Sequence, residues 1–491
     1  MKSFCTQKVF LWQWLLAMML LFLFSSKGEP QKALPFENRL KALMDKKPQG
    51  SQVSVTVADA SSGRILFAES PDLMLNPASN QKLLTAFAAL SLLGPQMRFR
   101  TALFGQVQDQ SVSPLIVRGH GDPTLRQSDL VELALELKRR GVARVDGIVV
   151  DSSHFAGPLL PPAFEQQPHE ASAFRPAISA VAVDGNAYTL RIWPGQAEGE
   201  SARIEVDGAA YFRIENQVKT GPKNGTPMIV ADQRAEKEHM WLSVRGTIPL
   251  NSPPLFFRRR IEDPLRWTGH LLAEALERVG IRVSGTISVK GELDQSPSPP
   301  LLAMHLSQPL AQIIQAIGKH SDNFTAEMVF RAIGAERHRP ARHEDSVQAI
   351  RELLRREGFS SEPKIVNGSG LYEGNLISSA LITSILVRAF QEPSIRHEFL
   401  SHLAIAGTDG TLEKRLRDVP IRNVIRAKTG TLDDVIALSG YVLGQEAGRS
   451  LAFSAILNRV KGKHQEAKEF VDEIARICFE ALWSQGQSPT P

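Results

Sequence analysis

A serine and a lysine three residues apart stand at the start of a strongly apolar segment of the 491-residue chain. The segment NPASNQKLLTAFAALSLLG, residues 76–94, contains Ser79 and Lys82 and ends at Gly94. Its apolar body and glycine stop predict a buried helix, and residues i and i+3 share one helix face. A hydroxyl needs a neighbouring base to become a nucleophile, and burial disfavours the charged form of a lysine. The pair therefore predicts a nucleophilic serine with a neutral lysine as its general base.

The Ser-x-x-Lys pattern taken alone is more often structural than catalytic, because it arises easily by chance. A second copy at Ser361–Lys364 has an internal Pro363 and polar neighbours, which predict a surface turn. The catalytic interpretation of Ser79 therefore depends on partners elsewhere in the chain.

Two further motifs supply candidate partners. Ser321-Asp322-Asn323 occurs once, and on its own it is typical of a helix N-cap. Lys-Thr-Gly occurs twice, at 219–221 and 428–430. The first copy leads into the turn formers PKNGTP and is interpreted as a surface loop, whereas the second follows NVIRA and is predicted to be a strand beside a cleft.

Each motif then has a chemical role. The Ser321 hydroxyl can pass a proton to a leaving amine, and the Asn323 amide can hold a substrate backbone and Lys82. Lys428 supplies positive charge for a carboxylate, with hydroxyl donors from Thr429 and Thr431 beside it. The strand edge at 428–431, which includes Gly430, offers N–H groups to an extended peptide, and the amides of Ser79 and Thr431 are a candidate oxyanion hole.

The elements that position these residues fall into two groups. A hairpin at QVSVTV and ILFAES precedes the Ser79 helix, and three strands at NVIRAKTGTL, VIALSGYVLG and SLAFSAILNRV precede a closing amphipathic helix. These ends predict one antiparallel sheet flanked by helices. Between them, short strand-like runs with few helices before residues 263–280 predict a β-rich insertion, followed by helices at 308–317, 324–336 and 343–357.

The N-terminus has the pattern of a secretory signal, residues 1–28, with basic residues before an apolar run. The alternative is an uncleaved membrane anchor; after cleavage we expect no stable membrane span. Cleavage removes three lysines and no acid, so the net charge falls from +5 to +2, which does not favour a nucleic-acid partner. Cys5 leaves with the signal, and Cys478 lies on an apolar helix face, where a core thiol is expected.

With these residues in place, the chain resembles the penicillin-binding proteins of the D-alanyl-D-alanine carboxypeptidase/endopeptidase type, the low-molecular-mass class C enzymes. The resemblance covers nearly the whole mature chain. Besides the three motifs, it rests on four phrases: HGDPTL at 120–125, NGSGL at 367–371, AGTDGTL at 406–412 and AKTGTLDDVIALSGY at 427–441. Asn80 and Asn367 stand at positions where some members of that family have other residues.

The resemblance implies an α/β (α+β) fold: a penicillin-binding-protein/serine β-lactamase-like transpeptidase domain with β-rich inserted domains. The expected domains are a catalytic domain at 29–105 and 301–485, an inserted domain at 106–165 and 262–300, a nested second inserted domain at 166–261, and a tail at 486–491. By the same resemblance Ser79 forms the acyl-enzyme with Lys82 as base. The substrate-binding residues are those of the third motif together with Gly368, Ser369, Gly370 and Leu371.

The implied reaction is amide cleavage at a D-alanyl bond of peptidoglycan in the periplasm or cell envelope, without cofactor or metal. The partners are stem peptides, their crosslinks and β-lactams as covalent inhibitors. Trimming and crosslink cleavage both remain open, as does the oligomeric state. The alternatives are a β-lactamase or esterase on the same scaffold, or a non-catalytic β-lactam sensor, which should have lost a motif residue.

Overall fold

The computed structural model describes residues 35–291, 299–445 and 449–483. The predicted signal at 1–28 and tail at 486–491 lie outside these ranges. The helices within them are α1 (Pro35–Met44), α2 (Gln81–Leu93), α3 (Gln127–Arg139), α4 (Pro264–Arg278), α5 (Leu310–Lys319), α6 (Asn323–Ala335), α7 (His343–Arg356), α8 (Ser379–Gln391), α9 (Arg396–His402) and α10 (His464–Trp483). No helix in this part of the chain has the length and apolar character needed to cross a membrane.

The strands are β1 (Gln52–Asp59), β2 (Ile65–Glu69), β3 (Arg100–Phe104), β4 (Val107–Gln108), β5 (Ser111–Val112), β6 (Leu115–Gly119), β7 (Arg144–Asp151), β8 (Ala187–Trp193), β9 (Arg203–Val206), β10 (Phe212–Gly221), β11 (Met228–Ala235), β12 (Met240–Pro249), β13 (Leu255–Arg260), β14 (Arg282–Lys290), β15 (Leu301–Leu306), β16 (Ala404–Ile405), β17 (Ile425–Leu432), β18 (Val435–Leu443) and β19 (Ser450–Asn458). Within the described ranges these strands form four sheets. Short 3₁₀ turns lie at Ala78–Asn80, Phe164–Gln166, Ala209–Tyr211 and Gly410–Leu412.

One six-stranded antiparallel sheet joins the two ends of the chain, in the order β16-β17-β18-β19-β1-β2. The early hairpin docks on the late strands through β1 and β19, where Val55 is opposite Ala455. The prediction of a single sheet built from two separated parts of the sequence is confirmed.

Two hydrophobic cores cover the two faces of this sheet. Alternation along β1 shows how they divide: Val55 and Val57 face α1 and α10, while Ser54 and Thr56 face α8. Both of these hydroxyls lie 2.8 Å from the Ser379 hydroxyl, so this polar strip is satisfied inside the protein.

Cys478 is fully buried in the core beneath α10, and burial raises the pKa of its thiol to about 12. The predicted core thiol is therefore confirmed.

The α2 helix runs through the middle of the other core. Every residue from Gln81 to Leu90 is buried, because α5, α6 and α8 pack around it. The helix ends at Gly94, which has φ +82° and donates its N–H to the Leu90 carbonyl. A helix enclosed in this way holds its first turn rigidly.

The insertion contains the other three sheets. A seven-stranded sheet has the order β15-β3-β6-β7-β5-β4 with β14 beside β7, and two three-stranded sheets, β10-β12-β11 and β13-β8-β9, follow β7 in sequence. The two small sheets share one hydrophobic core with the larger one. The expected bounds at 105 and 301 leave β3 and β15 in the catalytic domain, but both strands pair within the seven-stranded sheet. The pairing favours an insertion from about residue 100 to 306, and the domain bounds remain predictions.

The first Lys-Thr-Gly copy, Lys219-Thr220-Gly221, is not in a loop, so that interpretation was wrong. It ends β10, which pairs in parallel with β12 along ten residues. Strand pairing overrides the turn-forming residues that follow it.

Candidate active site

Ser79 lies in the 3₁₀ turn Ala78–Asn80 that leads into α2. The turn is held from both sides: the Asn76 Oδ1 atom accepts from the Ala78 N–H at 2.9 Å, and the Asn80 amide donates to the Ser439 hydroxyl on β18 at 2.7 Å. Ala78 has φ +46°. A turn fixed at these points presents the Ser79 hydroxyl to the cleft at the start of a buried helix.

Lys82 is fully buried, and its Nζ atom has three hydrogen-bond partners. It lies 3.1 Å from Ser79 Oγ, 2.7 Å from Asn323 Oδ1 and 2.6 Å from the Ser369 carbonyl. Burial lowers its pKa to about 7, with the charges of Glu327 and Asp322 opposing the shift. At neutral pH a substantial fraction of Lys82 is therefore the free amine.

This geometry suits a neutral amine that acts as a base. A neutral amine has two N–H donors and one lone pair. The two shorter contacts, to Asn323 and Ser369, are to oxygens that only accept, so they use both donors. The lone pair then faces the remaining partner, the Ser79 hydroxyl.

The second motif has a structural and a cleft-facing part. Asp322 caps α6, since its carboxylate accepts from the Thr325 N–H at 2.6 Å. Ser321, at φ +57°, and Asn323 flank this cap and reach into the cleft. The N-cap interpretation thus holds for Asp322 alone and leaves the other two side chains available for chemistry.

Lys428 on β17 is buried opposite the nucleophile. Its Nζ atom lies 2.9 Å from Ser321 Oγ and 2.7 Å from the Thr429 carbonyl. Burial, and then the charge of Lys82, hold its pKa well below the ordinary range. Ser321 therefore stands next to one lysine while Ser79 stands next to the other.

The edge of β17 beside the cleft is free for a ligand. β16 pairs with β17 only at Arg426 and Ala427, so from Lys428 to Leu432 no described strand covers that edge. Gly430 packs against the turn that bears Ser79: a Cβ there would lie 2.7 Å from the Pro77 carbonyl. Thr431 is exposed at the end of this edge.

The segment 368–371, which the family resemblance assigns to substrate binding, lies against the Ser79 turn. Its Ser369 carbonyl is a partner of Lys82. Gly370 has φ +74°, and a Cβ there would lie 1.9 Å from the Ala78 carbonyl, so only glycine fits. Gly368 packs directly on Phe330, and Leu371 lines a cavity further along.

Glu327 is a site residue that the sequence interpretation missed. It is buried on α6, and its two carboxylate oxygens accept from the N–H groups of Gly368 at 3.2 Å and Ser369 at 2.7 Å. Burial raises the pKa of this carboxyl, and the N–H donors oppose that shift. We regard the charged form as the one that fits, because both oxygens act as acceptors. Glu327 thereby fixes the loop whose Ser369 carbonyl contacts Lys82. An acid within the largely apolar helix NFTAEMVFRAIGA was the available signal.

Two further contacts were missed because they depend on distant parts of the chain. The backbone carbonyl of Phe174, in the insertion, accepts from the Asn323 amide at 2.8 Å. Thr411 lies 2.9 Å from the Thr429 hydroxyl. The insertion therefore takes part in orienting a motif side chain.

Two cavities adjoin the exposed β17 edge. The first, of about 790 Å³, is lined by Ser79, Ser321, Thr429 and Thr431 at one end, and by 411–418 and α10 at the other. The second, of about 650 Å³, is lined by Leu371, Tyr372 and Phe174 and by the segment 432–435. Together they leave room for an extended chain on both sides of Ser79.

No group of three or more His, Cys, Asp or Glu side chains within the described ranges is placed to hold a metal ion.

Comparison with known proteins gives consistent matches over almost the whole length. The family model of the D-Ala-D-Ala carboxypeptidase 3 (S13) family matches residues 37–478. A D-alanyl-D-alanine carboxypeptidase of Actinomadura sp. (strain R39) is 32% identical over 444 residues, 86% of this chain and 80% of that protein.

Solved structures agree. The crystal structure of penicillin binding protein 4 (dacB) from Haemophilus influenzae has a TM-score of 0.78 at 26% identity, and the match covers 90% of this chain and 99% of that one. The same protein complexed with a novel β-lactam has a TM-score of 0.73 at 26% identity, covering 89% and 98%.

Proposed function

The chain belongs to the D-Ala-D-Ala carboxypeptidase 3 (S13) family, and we propose that it cleaves D-alanyl amide bonds of peptidoglycan peptides through an ester on Ser79. It is a serine-type carboxypeptidase of that family. The single observation that carries the assignment of roles is the environment of Lys82: a buried amine with two acceptor oxygens and one hydroxyl.

Acylation begins with proton transfer from the Ser79 hydroxyl to Lys82. The oxygen attacks the carbonyl of the penultimate D-alanine, and a C–O bond forms as the C–N bond breaks. Lys82 becomes an ammonium, and each of its three partners can accept a hydrogen bond from it. The N–H groups of Ser79 and Thr431 receive the negative charge that develops on the carbonyl oxygen.

The substrate carboxylate, which is adjacent to the scissile nitrogen, binds Lys428 and the hydroxyls of Thr429 and Thr431. Burial makes the uncompensated ammonium of Lys428 unfavourable, so an arriving carboxylate stabilises its charged form. The leaving amine takes a proton from the Ser321 hydroxyl, which lies beside Lys428. The proton that Lys82 received from Ser79 restores that hydroxyl, so Lys82 returns to the free amine. Water then hydrolyses the ester, with Lys82 again as base.

The same geometry supports both trimming and crosslink cleavage, because both substrates have a carboxylate next to the scissile nitrogen. β-Lactams are proposed to acylate Ser79 as covalent inhibitors. We place the enzyme in the periplasm, on the basis of the signal pattern at 1–28 and a polymer substrate that lies outside the cytoplasmic membrane.

The decisive experiment compares the native chain with Ser79→Ala on purified wall fragments, with product masses as the readout. We expect loss of D-alanine release and of crosslink cleavage, with the thermal unfolding curve retained. A substantially active Ser79→Ala enzyme would refute the assignment.

A labelled penicillin tests the alternative activities on the same scaffold. The native chain should carry the label at Ser79, and the adduct should outlast many turnovers of the peptide substrate. An adduct that hydrolyses faster than D-alanine is released would instead identify a β-lactamase.

A further inference from the structure

The 790 Å³ cavity beside Ser79 has a far end that the proposed chemistry does not use; we call it the leaving-group cavity. If the substrate carboxylate binds at Lys428 and Thr429, the departing amine must lie on the Thr429 side of Ser79. The acyl portion then extends the other way along β17, towards Leu432 and the second cavity. The leaving-group cavity therefore begins where the departing group is released.

This cavity is far larger than a single alanine requires. Besides Thr411 and Thr429, it is lined by residues of the segment 414–418 and by α10 residues between Gln465 and Arg476. Its volume is in the range that holds a ligand of many atoms. A free D-alanine would occupy only the end next to Ser321.

The far end has positive charge without a partner. Lys414 and Lys468 line it, and within the described chain neither ammonium makes a hydrogen bond or ion pair. The Arg417 Nε atom donates only to a backbone carbonyl, that of Glu413. These three cations are therefore free to meet anionic groups of a ligand.

The acidic side chains in the same wall are mostly neutralised already. Asp472 accepts two hydrogen bonds from Arg415, and Asp418 accepts two from Arg476. Glu469 accepts from the neutral Gln465 and is the one lining acid here without a cation among the described contacts. The surplus in the leaving-group cavity is positive.

We propose that the leaving-group cavity binds the departing strand of a crosslinked peptide, an anionic second stem whose carboxylates meet Lys414, Arg417 and Lys468. This inference rests on the proposed function of Ser79. In the step concerned, the crosslink C–N bond breaks, the Ser79 ester forms, and the departing side-chain amine takes the proton. The cations hold the strand in register until that amine leaves.

The test uses the double variant Lys414→Gln/Lys468→Gln of the full chain, with two substrates: a crosslinked dimer and an uncrosslinked pentapeptide stem. The dimer places its second stem in the cavity, whereas the pentapeptide loses only D-alanine. We expect the ratio of kcat/KM for dimer over pentapeptide to fall about three- to tenfold, mainly through KM, as expected for two charge pairs that remain accessible to solvent. Higher salt should lower the same ratio in the native chain.

The matched control is Lys46→Gln, an exposed lysine after α1 and away from the cleft. It should keep the native ratio. An unchanged ratio in the double variant, with both substrates still cleaved, would overturn the cavity proposal and leave the Ser79 assignment intact. If the native chain cleaved neither substrate and took up no penicillin at Ser79, the proposed function itself would fail.

Discussion

The two Lys-Thr-Gly tripeptides are identical in sequence and both lie in strands, yet their surroundings differ completely. Lys428 is fully buried between Ser321 and the Ser79 turn. Lys219 is exposed in the insertion, and its ammonium donates to Ser201 at 3.2 Å. A tripeptide on a strand is thus only a scaffold, and its chemistry comes from what the sheet places opposite it.

The two threonines and glycines continue the contrast. Thr429 faces the cleft beside Thr411, whereas the Thr220 hydroxyl on β10 accepts from the Gly195 N–H at 2.8 Å, within the nested insertion. Gly430 is in close contact with the turn of the nucleophile, whereas a Cβ at Gly221 would meet nothing nearer than 3.7 Å. Each position therefore offers a matched pair of substitutions.

The largest difference is expected for the lysines. Lys428→Ala removes the charge that meets the substrate carboxylate and should lower kcat/KM on carboxylate-bearing peptides by about 100-fold. Lys219→Ala should leave it at the native value. Neutral esters provide the second arm: equal losses on esters and peptides in Lys428→Ala would contradict the carboxylate role.

The glycines should come next. Gly430→Ala forces β17 away from the Pro77 carbonyl, and a displacement of this kind beside a reacting atom should slow acylation roughly 10- to 100-fold. Gly221→Ala has space for its methyl group and should acylate at the native rate. Stopped-flow acylation by a chromogenic β-lactam measures both, and equal rates would show that the close approach at Gly430 is unimportant.

The threonines are expected to separate activity from stability. Thr429→Val removes one hydroxyl donor to the substrate and should cost about tenfold in kcat/KM with a native unfolding curve. Thr220→Val leaves the Gly195 N–H without its acceptor and should lower the free energy of unfolding by about 1 kcal/mol with native activity. Urea denaturation measures the free energy of unfolding, and peptide kinetics measure kcat/KM. If the two variants behaved identically in both measurements, the proposed division between activity and stability would be wrong.

The smallest expected effect is a shift in pH dependence. Lys82 acts as the free amine, so the acylation rate should rise with pH through its pKa of about 7. The Glu327 charge raises that pKa, so Glu327→Gln should move the rise to lower pH as well as slow the reaction. Lys219→Ala should keep the native profile. A profile in Glu327→Gln that stays at the native pH would argue against the charge coupling.

The pKa of Lys82 also has a consequence for stability. Between about 7 and the ordinary value near 10.5, the unfolded chain binds more protons at this site than the folded one. The contribution of Lys82 to stability therefore increases as pH rises through this window.

Much of the catalytic domain could be predicted because its elements have strong local patterns. The helices expected at 324–336 and 343–357 are α6 and α7 within a residue or two. The insertion was harder. Helix α3 went unrecognised in a region interpreted as strands, although Leu130, Leu133, Ala134 and Leu137 follow helical spacing and are buried. Frequent Gly, Pro and Asp around it masked that pattern.

The side chains of the three motifs could be predicted to lie close together because each has a role in the same acyl-transfer reaction. The supporting contacts could not. The Phe174 carbonyl is a backbone atom with no residue signature, and it reaches Asn323 from 149 positions away. In β10 a strand was interpreted as a loop. The turn formers after Gly221 favoured the loop, and the pairing with β12 that makes this segment a strand is visible only in the tertiary structure.

In the six-stranded sheet β1 pairs with β19, which among the described strands is synthesised last. A ribosome releases β1, the nucleophile and its base long before β19 and the lysine of β17 exist, so the nascent polypeptide carries an inert serine. Loop closure over such a separation is slow. Competence to react thus arrives only after β17 and β19 have been made, and a product shortened before Ile425 would have the attacking group without the surface that receives its substrate.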